Sequence, residues 1–184
     1  MRIACIGWGS LIWNPGSLKI QNKWFDDGPI LPIEFTRISE DDRVTLIIDP
    51  EGTLVRTLWA FMTVTEIAIA KSSLQNRENV KNIDTIKSVS VYDTNSDQIV
   101  KEIKNWLEIV NIDAAVWTGL SYSKKTNNKR PTVDDIIDHL RNKLDYNAKK
   151  VAEEYIRKAP KQIDTEYRRR IEMEFGWTPI LMTK

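Results

Sequence analysis

Apolar positions along this chain follow two rhythms, and the change between them falls near Thr65. Before it, short β-branched and aromatic runs predict strands at 2–6, 30–38, 43–48 and 54–62. The turn-forming stretches "DDGP", "SEDD" and "DPEGT" bound the later three, so these strands are expected to neighbour one another antiparallel. From 65 to 76 the apolar residues Ile67, Ala70 and Leu74 recur at helical spacing. A strand at 85–91 follows, then a helix from Ser96 with Ile99, Ile103, Trp106, Leu107 and Val110 on one side, then a strand at 114–117. The remainder reads as helix. Thr132 and Asp135 form a capping-box start for a stripe of Val133, Ile136, Ile137, Leu140 and Leu144. Asn147 opens a second helix with Val151, Tyr155 and Ile156 inward. After Pro160 a last stripe of Ile163, Tyr167, Ile171 and Phe175 ends at Gly176. The polar, basic run "SYSKKTNNKRP" at 121–131 reads as a mobile loop.

Strands that come first and helices that dominate later define an α+β chain. The expected architecture is a mixed, mostly antiparallel sheet curled towards a barrel, with flanking helices. At 184 residues the chain fits one domain, residues 1–184, with 132–176 as a helical C-terminal extension of it.

Charge changes this picture little. Lys plus Arg number 27 and Asp plus Glu 26, giving a net charge of +1 at pH 7, so no overall field argues for a nucleic-acid partner. Cys5 is the single cysteine, which rules out an intramolecular disulfide framework and fits a reducing compartment. The first apolar run is too short for a signal peptide, and nothing later reaches the roughly 18 consecutive apolar residues of a membrane span. A soluble, cytoplasmic protein with no membrane partner is expected.

The chemistry open to this chain is narrow. One histidine and one cysteine cannot build a His/Cys zinc site, and no metal is expected. His139 lies off its helical stripe and reads as a solvated or flank-packed imidazole. Cys5, inside an apolar strand, reads as an inert core thiol. The acidic doublets Asp26 with Asp27, Asp41 with Asp42, and Asp134 with Asp135 sit in turns or a first helical turn, where carboxylates are favoured anyway.

What remains is "IGWGSLIWNPG", residues 6–16. Its Gly7-x-Gly9 follows a strand, yet Ile12 stands where a dinucleotide-binding loop needs a third glycine and Pro15 interrupts the receiving helix. Ser10 lacks the flanking glycines of a nucleophile elbow. Two readings fit the spacing: a turn whose amides grip an anion between Trp8 and Trp13, or a tight turn whose tryptophans pack in the core.

The stretch resembles the glycine-serine loop of the gamma-glutamylcyclotransferase-like proteins, and "GSLIWNPG" is nearest to their glutathione-acting branch. "LWAFMTVTEIAIAKSSLQNREN", residues 58–79, is similar to that family's strand, helix and closing catalytic glutamate, which the resemblance places at Glu78. "ILPIEFTRIS" resembles its Arg/Phe strand and puts Arg37 near the site. The likeness covers roughly the first 120 residues. Two positions depart from the family: Trp8 replaces the usual tyrosine, and Asn79 stands where glycine is common.

What the resemblance implies is cyclisation of a γ-glutamyl amide to 5-oxoproline with release of an amine, without cofactor. Glu78 is the general acid/base, and Trp8, Gly9, Ser10, Leu11 and Arg37 bind the small γ-glutamyl substrate. The basic residues Lys124, Lys125, Lys129 and Arg130 of the 121–131 loop are placed to meet an acidic leaving group if that loop closes. A competing reading is an inactive interaction module that uses its C-terminal helices, with Tyr155, Tyr167, Trp177 and the run Arg168, Arg169 and Arg170; that run most simply forms the wet face of its helix.

Overall fold

The computed structural model of the chain describes residues 1–94 and 97–180. They divide into two compact units, each assembled from separate stretches. The first comprises Met1–Gly7, Asn14–Leu31 and Arg56–Leu120.

Its sheet contains strands β1 (Ile3–Gly7), β5 (Leu58–Phe61), β6 (Ile86–Ser90) and β7 (Ala114–Thr118), in the order β5-β1-β7-β6. β1 runs antiparallel to β5, with Cys5 opposite Ala60, and parallel to β7, with Cys5 opposite Val116. Every residue of β1 and of β7 is buried. Such continuous burial is what a parallel central pair requires, since both faces are covered. Two helices pack on β6 and β7: α1 (Ile67–Glu78), which buries Ala70, Ser73 and Leu74, and α2 (Gln98–Val110), which buries Ile103, Trp106 and Leu107. Asp97 caps α2 by accepting from the Val100 amide at 3.1 Å; the start expected at Ser96 lies outside the described residues. Residues 20–25 run beside β5, where Phe25 and Trp59 exchange both backbone hydrogen bonds.

The second unit comprises Trp8–Trp13, Pro32–Val55 and the described part of Ser121–Lys184. Its strands are β2 (Ile30–Ile38), β3 (Val44–Ile48) and β4 (Thr53–Arg56), in the order β3-β2-β4. β2 pairs antiparallel with β3, and a register shift falls between Glu34 and Arg37. This irregularity breaks strict alternation, so Ile33, Glu34, Phe35 and Thr36 are buried in succession. Helix α3 (Val133–Asp138) starts at the expected Thr132 and Asp135 capping box, and α4 (Tyr146–Lys158) packs on β3. α5 (Glu166–Phe175) packs on α3.

The α+β class holds, but neither sheet is curled or closed into a barrel. The expected strand 54–62 is the reason, because it is two strands in two sheets. Thr57 separates them: it is fully buried, and both its amide, at 3.0 Å, and its hydroxyl, at 2.7 Å, donate to the Pro29 carbonyl. A residue committed to that carbonyl cannot continue either ladder. Each sheet therefore stays open, ending in β5, flanked by residues 20–25, and β6 in one, and in β3 and β4 in the other.

Three further differences concern the C-terminal helices. The helix expected through Leu144 changes at His139 to a π-helical turn, His139–Lys143, which lets adjacent His139 and Leu140 both turn inward. His139 is thus flank-packed, its Nε2 lying 2.8 Å from the Asp42 carbonyl. In α4, Ala152 takes the inward place expected of Val151, which is 47% exposed.

Arg168 is the largest departure. Expected on the wet face of α5, it is 1% exposed. Its Nη1 donates to the carbonyls of Pro160, at 2.7 Å, and Ile163, at 3.0 Å; its Nη2 donates to Ile156, at 3.3 Å, and Ala159, at 2.7 Å. One guanidinium so satisfies the carbonyls left open where α4 ends.

Candidate functional site

Glu78 is the last residue of α1, and the chain turns sharply after it. Asn79 adopts the left-handed conformation, φ 52° and ψ 38°, with its amide on the Asn76 carbonyl. Glycine reaches that region without steric cost and asparagine tolerates it. Asn79 therefore makes this left-handed turn without a glycine. Gln75 fixes the turn further, its Nε2 donating to the Val80 carbonyl at 3.1 Å and the Lys81 carbonyl at 3.2 Å.

The Glu78 side chain is 16% exposed and pairs through Oε1 with Arg77 Nη1 at 2.5 Å. The same guanidinium reaches residues just beyond the glycine-serine loop: Nε, at 3.2 Å, and Nη2, at 2.6 Å, donate to the Asn14 carbonyl. One helical turn earlier, Ser73 Oγ accepts from the Lys19 amide at 2.9 Å. Ser73 and Arg77 are four residues apart on one face of α1, and together they clip the segment after the loop to that helix.

Glu78 also acts on β1. Burial pushes the Cys5 thiol up to about 12, and the Glu78 carboxylate adds to the effect. That is the reverse of an activated nucleophile, so Cys5 is an inert core thiol.

In the second unit, Gly9 and Ile12 close a tight turn, the Ile12 amide donating to the Gly9 carbonyl at 3.1 Å. A Cβ at Gly9 would stand 2.7 Å from the Tyr155 hydroxyl oxygen. Close approach is thus what this glycine provides, and the group that approaches is Tyr155 of α4. Trp13 meets the Tyr155 ring edge-on at 5.4 Å, Phe35 does so at 6.5 Å, and the Arg43 guanidinium lies 5.7 Å from its centroid. Trp8 is buried, and its indole N–H donates to the Leu46 carbonyl at 3.2 Å. Leu11 is buried, while Ser10 and Arg37 are half-buried. Arg37 lies opposite Thr45 in β3.

Tyr155 and Arg43 were missed as neighbours of the loop, and Arg77 and Asn14 as neighbours of Glu78. The glycine itself was the available signal for Tyr155, because a required absence of Cβ implies something pressing on it.

The basic loop is not free to roam. Asp49, fully buried, accepts from the Tyr122 hydroxyl at 2.9 Å and from Arg130 Nε at 2.9 Å. Arg130 Nη1 donates to the Tyr167 hydroxyl at 2.8 Å, and Lys125 pairs with Asp42 at 2.6 Å. Burial, then the Asp49 hydrogen bond, pushes the Tyr122 phenol up to about 12. Two of the four basic residues expected to meet a leaving group are thereby committed to the protein itself.

The acidic doublets serve structure. Asp27 accepts from the Trp59 indole at 2.8 Å, Asp41 pairs with Arg43 at 2.7 Å, and Asp135 closes its capping box. Among the described residues no group of three or more His, Cys, Asp or Glu side chains is placed to hold a metal ion. None of the described helices is long and apolar enough to cross a membrane. No protein-family model, curated protein or solved structure matches this chain.

Proposed function

We propose that the chain is a gamma-glutamylcyclotransferase-like enzyme that converts a γ-glutamyl amide to 5-oxoproline and a free amine. The observation that carries this reading is Glu78: a mostly buried carboxylate at a helix end, where the macrodipole disfavours negative charge, held by its own arginine. A sheltered carboxylate whose orientation is fixed by an adjacent guanidinium suits a group that must meet a substrate proton in one geometry.

In this reading the nucleophile belongs to the substrate. Glu78 takes a proton from the α-ammonium group, and the freed nitrogen attacks the side-chain carbonyl carbon. As the bond to the departing nitrogen breaks, Glu78 returns the proton to it, and the ring nitrogen gives up its second proton to the released amine through solvent, leaving the lactam N–H. By the resemblance, binding of the glutamyl unit falls to Trp8, Gly9, Ser10, Leu11 and Arg37. Fixing the folded conformer of an intramolecular nucleophile is worth many orders of magnitude in effective molarity. Glutathione, γ-glutamyl amino acids and γ-glutamyl amines share the reacting unit and differ only in the leaving group.

A second reading, an interaction module without chemistry, draws on Tyr155, which lies where a ligand would approach Gly9, and on the exposed apolar Tyr146 and Met173 of α4 and α5. One experiment separates the two. Purified protein is incubated with a panel of γ-glutamyl compounds and 5-oxoproline is assayed, with Glu78→Gln as control. Turnover lost in the variant supports the enzyme, and its absence throughout the panel supports the module.

A further inference from the structure

Arg77 donates in two directions at once, and this carries a consequence for the reaction. One edge of its guanidinium, Nε and Nη2, converges on the Asn14 carbonyl at 3.2 and 2.6 Å, while Nη1 meets Glu78 Oε1 at 2.5 Å. The group is planar and its donors are rigidly spaced, so fixing one edge fixes the direction of the other. Asn14 is itself restrained, because the segment it begins is held again by the Lys19 amide on Ser73.

We infer that Arg77 is a positioning residue: it uses the Asn14 carbonyl as a fixed point from which to orient the Glu78 carboxylate for proton transfer. The inference rests on the cyclotransferase reading of Glu78 and adds to it a residue that the family resemblance did not supply.

Physical chemistry favours this over a role in helix termination alone. Glu78 has three rotatable side-chain bonds, and a carboxylate at the end of α1 would otherwise turn towards solvent, away from the negative end of the dipole. The adjacent guanidinium opposes that rotation. The pair is also sheltered, with side-chain exposures of 12% and 16%, so water screens it less than a surface pair. Helix termination alone needs only a cation at position 77; the attachment to Asn14 clips the following segment to α1 and, because the guanidinium is rigid, also fixes the direction in which Nη1 meets Glu78. Lysine offers a cation but no fork, and it cannot hold both acceptors in one fixed plane.

The test compares wild type, Arg77→Lys, Arg77→Ala and Glu78→Gln for 5-oxoproline release, with thermal melting as a check on folding. Arg77→Ala is expected to lower kcat about 10- to 100-fold, the scale of a misdirected catalytic group, with KM changed less than about two-fold. Arg77→Lys should retain under about a tenth of wild-type kcat while melting with wild type. Guanidinium chloride at low, non-denaturing concentration should restore part of the activity of Arg77→Ala and none of that of Glu78→Gln. Wild-type kcat in Arg77→Lys would overturn the inference. So would a loss carried by KM alone, or one that guanidinium fails to relieve in a folded variant. If wild type itself releases no 5-oxoproline from any γ-glutamyl compound, the cyclotransferase reading has failed and this role falls with it; an active wild type indifferent to position 77 sinks only the role of Arg77.

Discussion

At Gly9 a side chain is excluded by contact rather than by backbone conformation. Its missing Cβ leaves room for the Tyr155 hydroxyl, 2.7 Å from where that atom would stand. Gly9→Ala should cost about 1–3 kcal/mol of stability in urea denaturation, the usual range for overpacking. Removing the offending oxygen with Tyr155→Phe should recover part of that loss, so the double variant should be less destabilised than the sum of the singles. Glu34 makes a different kind of prediction. It is 1% exposed, and burial pushes its carboxyl above the usual range although the Phe35 amide and the Thr53 hydroxyl both donate to it. The folded protein therefore holds the proton at pH values where the unfolded chain has released it. Its contribution to stability is fully present below the unfolded value, about pH 4.3, and is lost as pH rises through the higher folded value. Melting temperatures of wild type and Glu34→Gln across this range should show the decline in wild type and a flatter profile in the variant.

Among the elements, Arg168 joins α5 to the end of α4. Its replacement by alanine would remove a donor from four carbonyl groups, of which Pro160's keeps the Ile163 amide. A loss of about 3 kcal/mol or more is expected, measurable as a lower denaturation midpoint, with Arg168→Lys recovering only part because an ammonium cannot span all four. The arginine triplet is also electrically quiet: Arg168 pairs with Glu172, Arg169 with Asp164 and Arg170 with Glu174, so a rule that scores runs of arginine would overrate this helix. What was legible in the sequence follows the same logic. β2 was readable to its ends, and so was the capping box of α3, because periodicity and capping are local signals. Thr57 was not, since its break depends on Pro29, remote in sequence. Val151 and Ala152 are neighbours that a helical stripe alone ranks by hydrophobicity, whereas packing on β3 chose the smaller. In the candidate site, Glu78 and the loop at 6–16 were singled out by resemblance, a cue that carries no information about the groups around them. Arg77, Tyr155 and Arg43 were not, because their partners come from distant stretches.

For the molecule as a whole, the parallel pairing of β1 with β7 joins residues from opposite ends of the first unit, and both strands are buried throughout. Hydrogen exchange should find the β1 and β7 amides among the slowest, opening only with the global transition, while those near the exposed end of α5 exchange early. Long-range pairing of this kind also slows folding, since a large loop must close before the contact forms. The partition of the chain has a consequence for heredity. Each unit is stitched from three stretches that alternate along the sequence. Neither can be excised as one continuous cassette, so recombination has no transferable module to shuffle. A stop codon after Leu120 would retain every stretch of the first unit yet strand β3 without the helix α4 that packs on it.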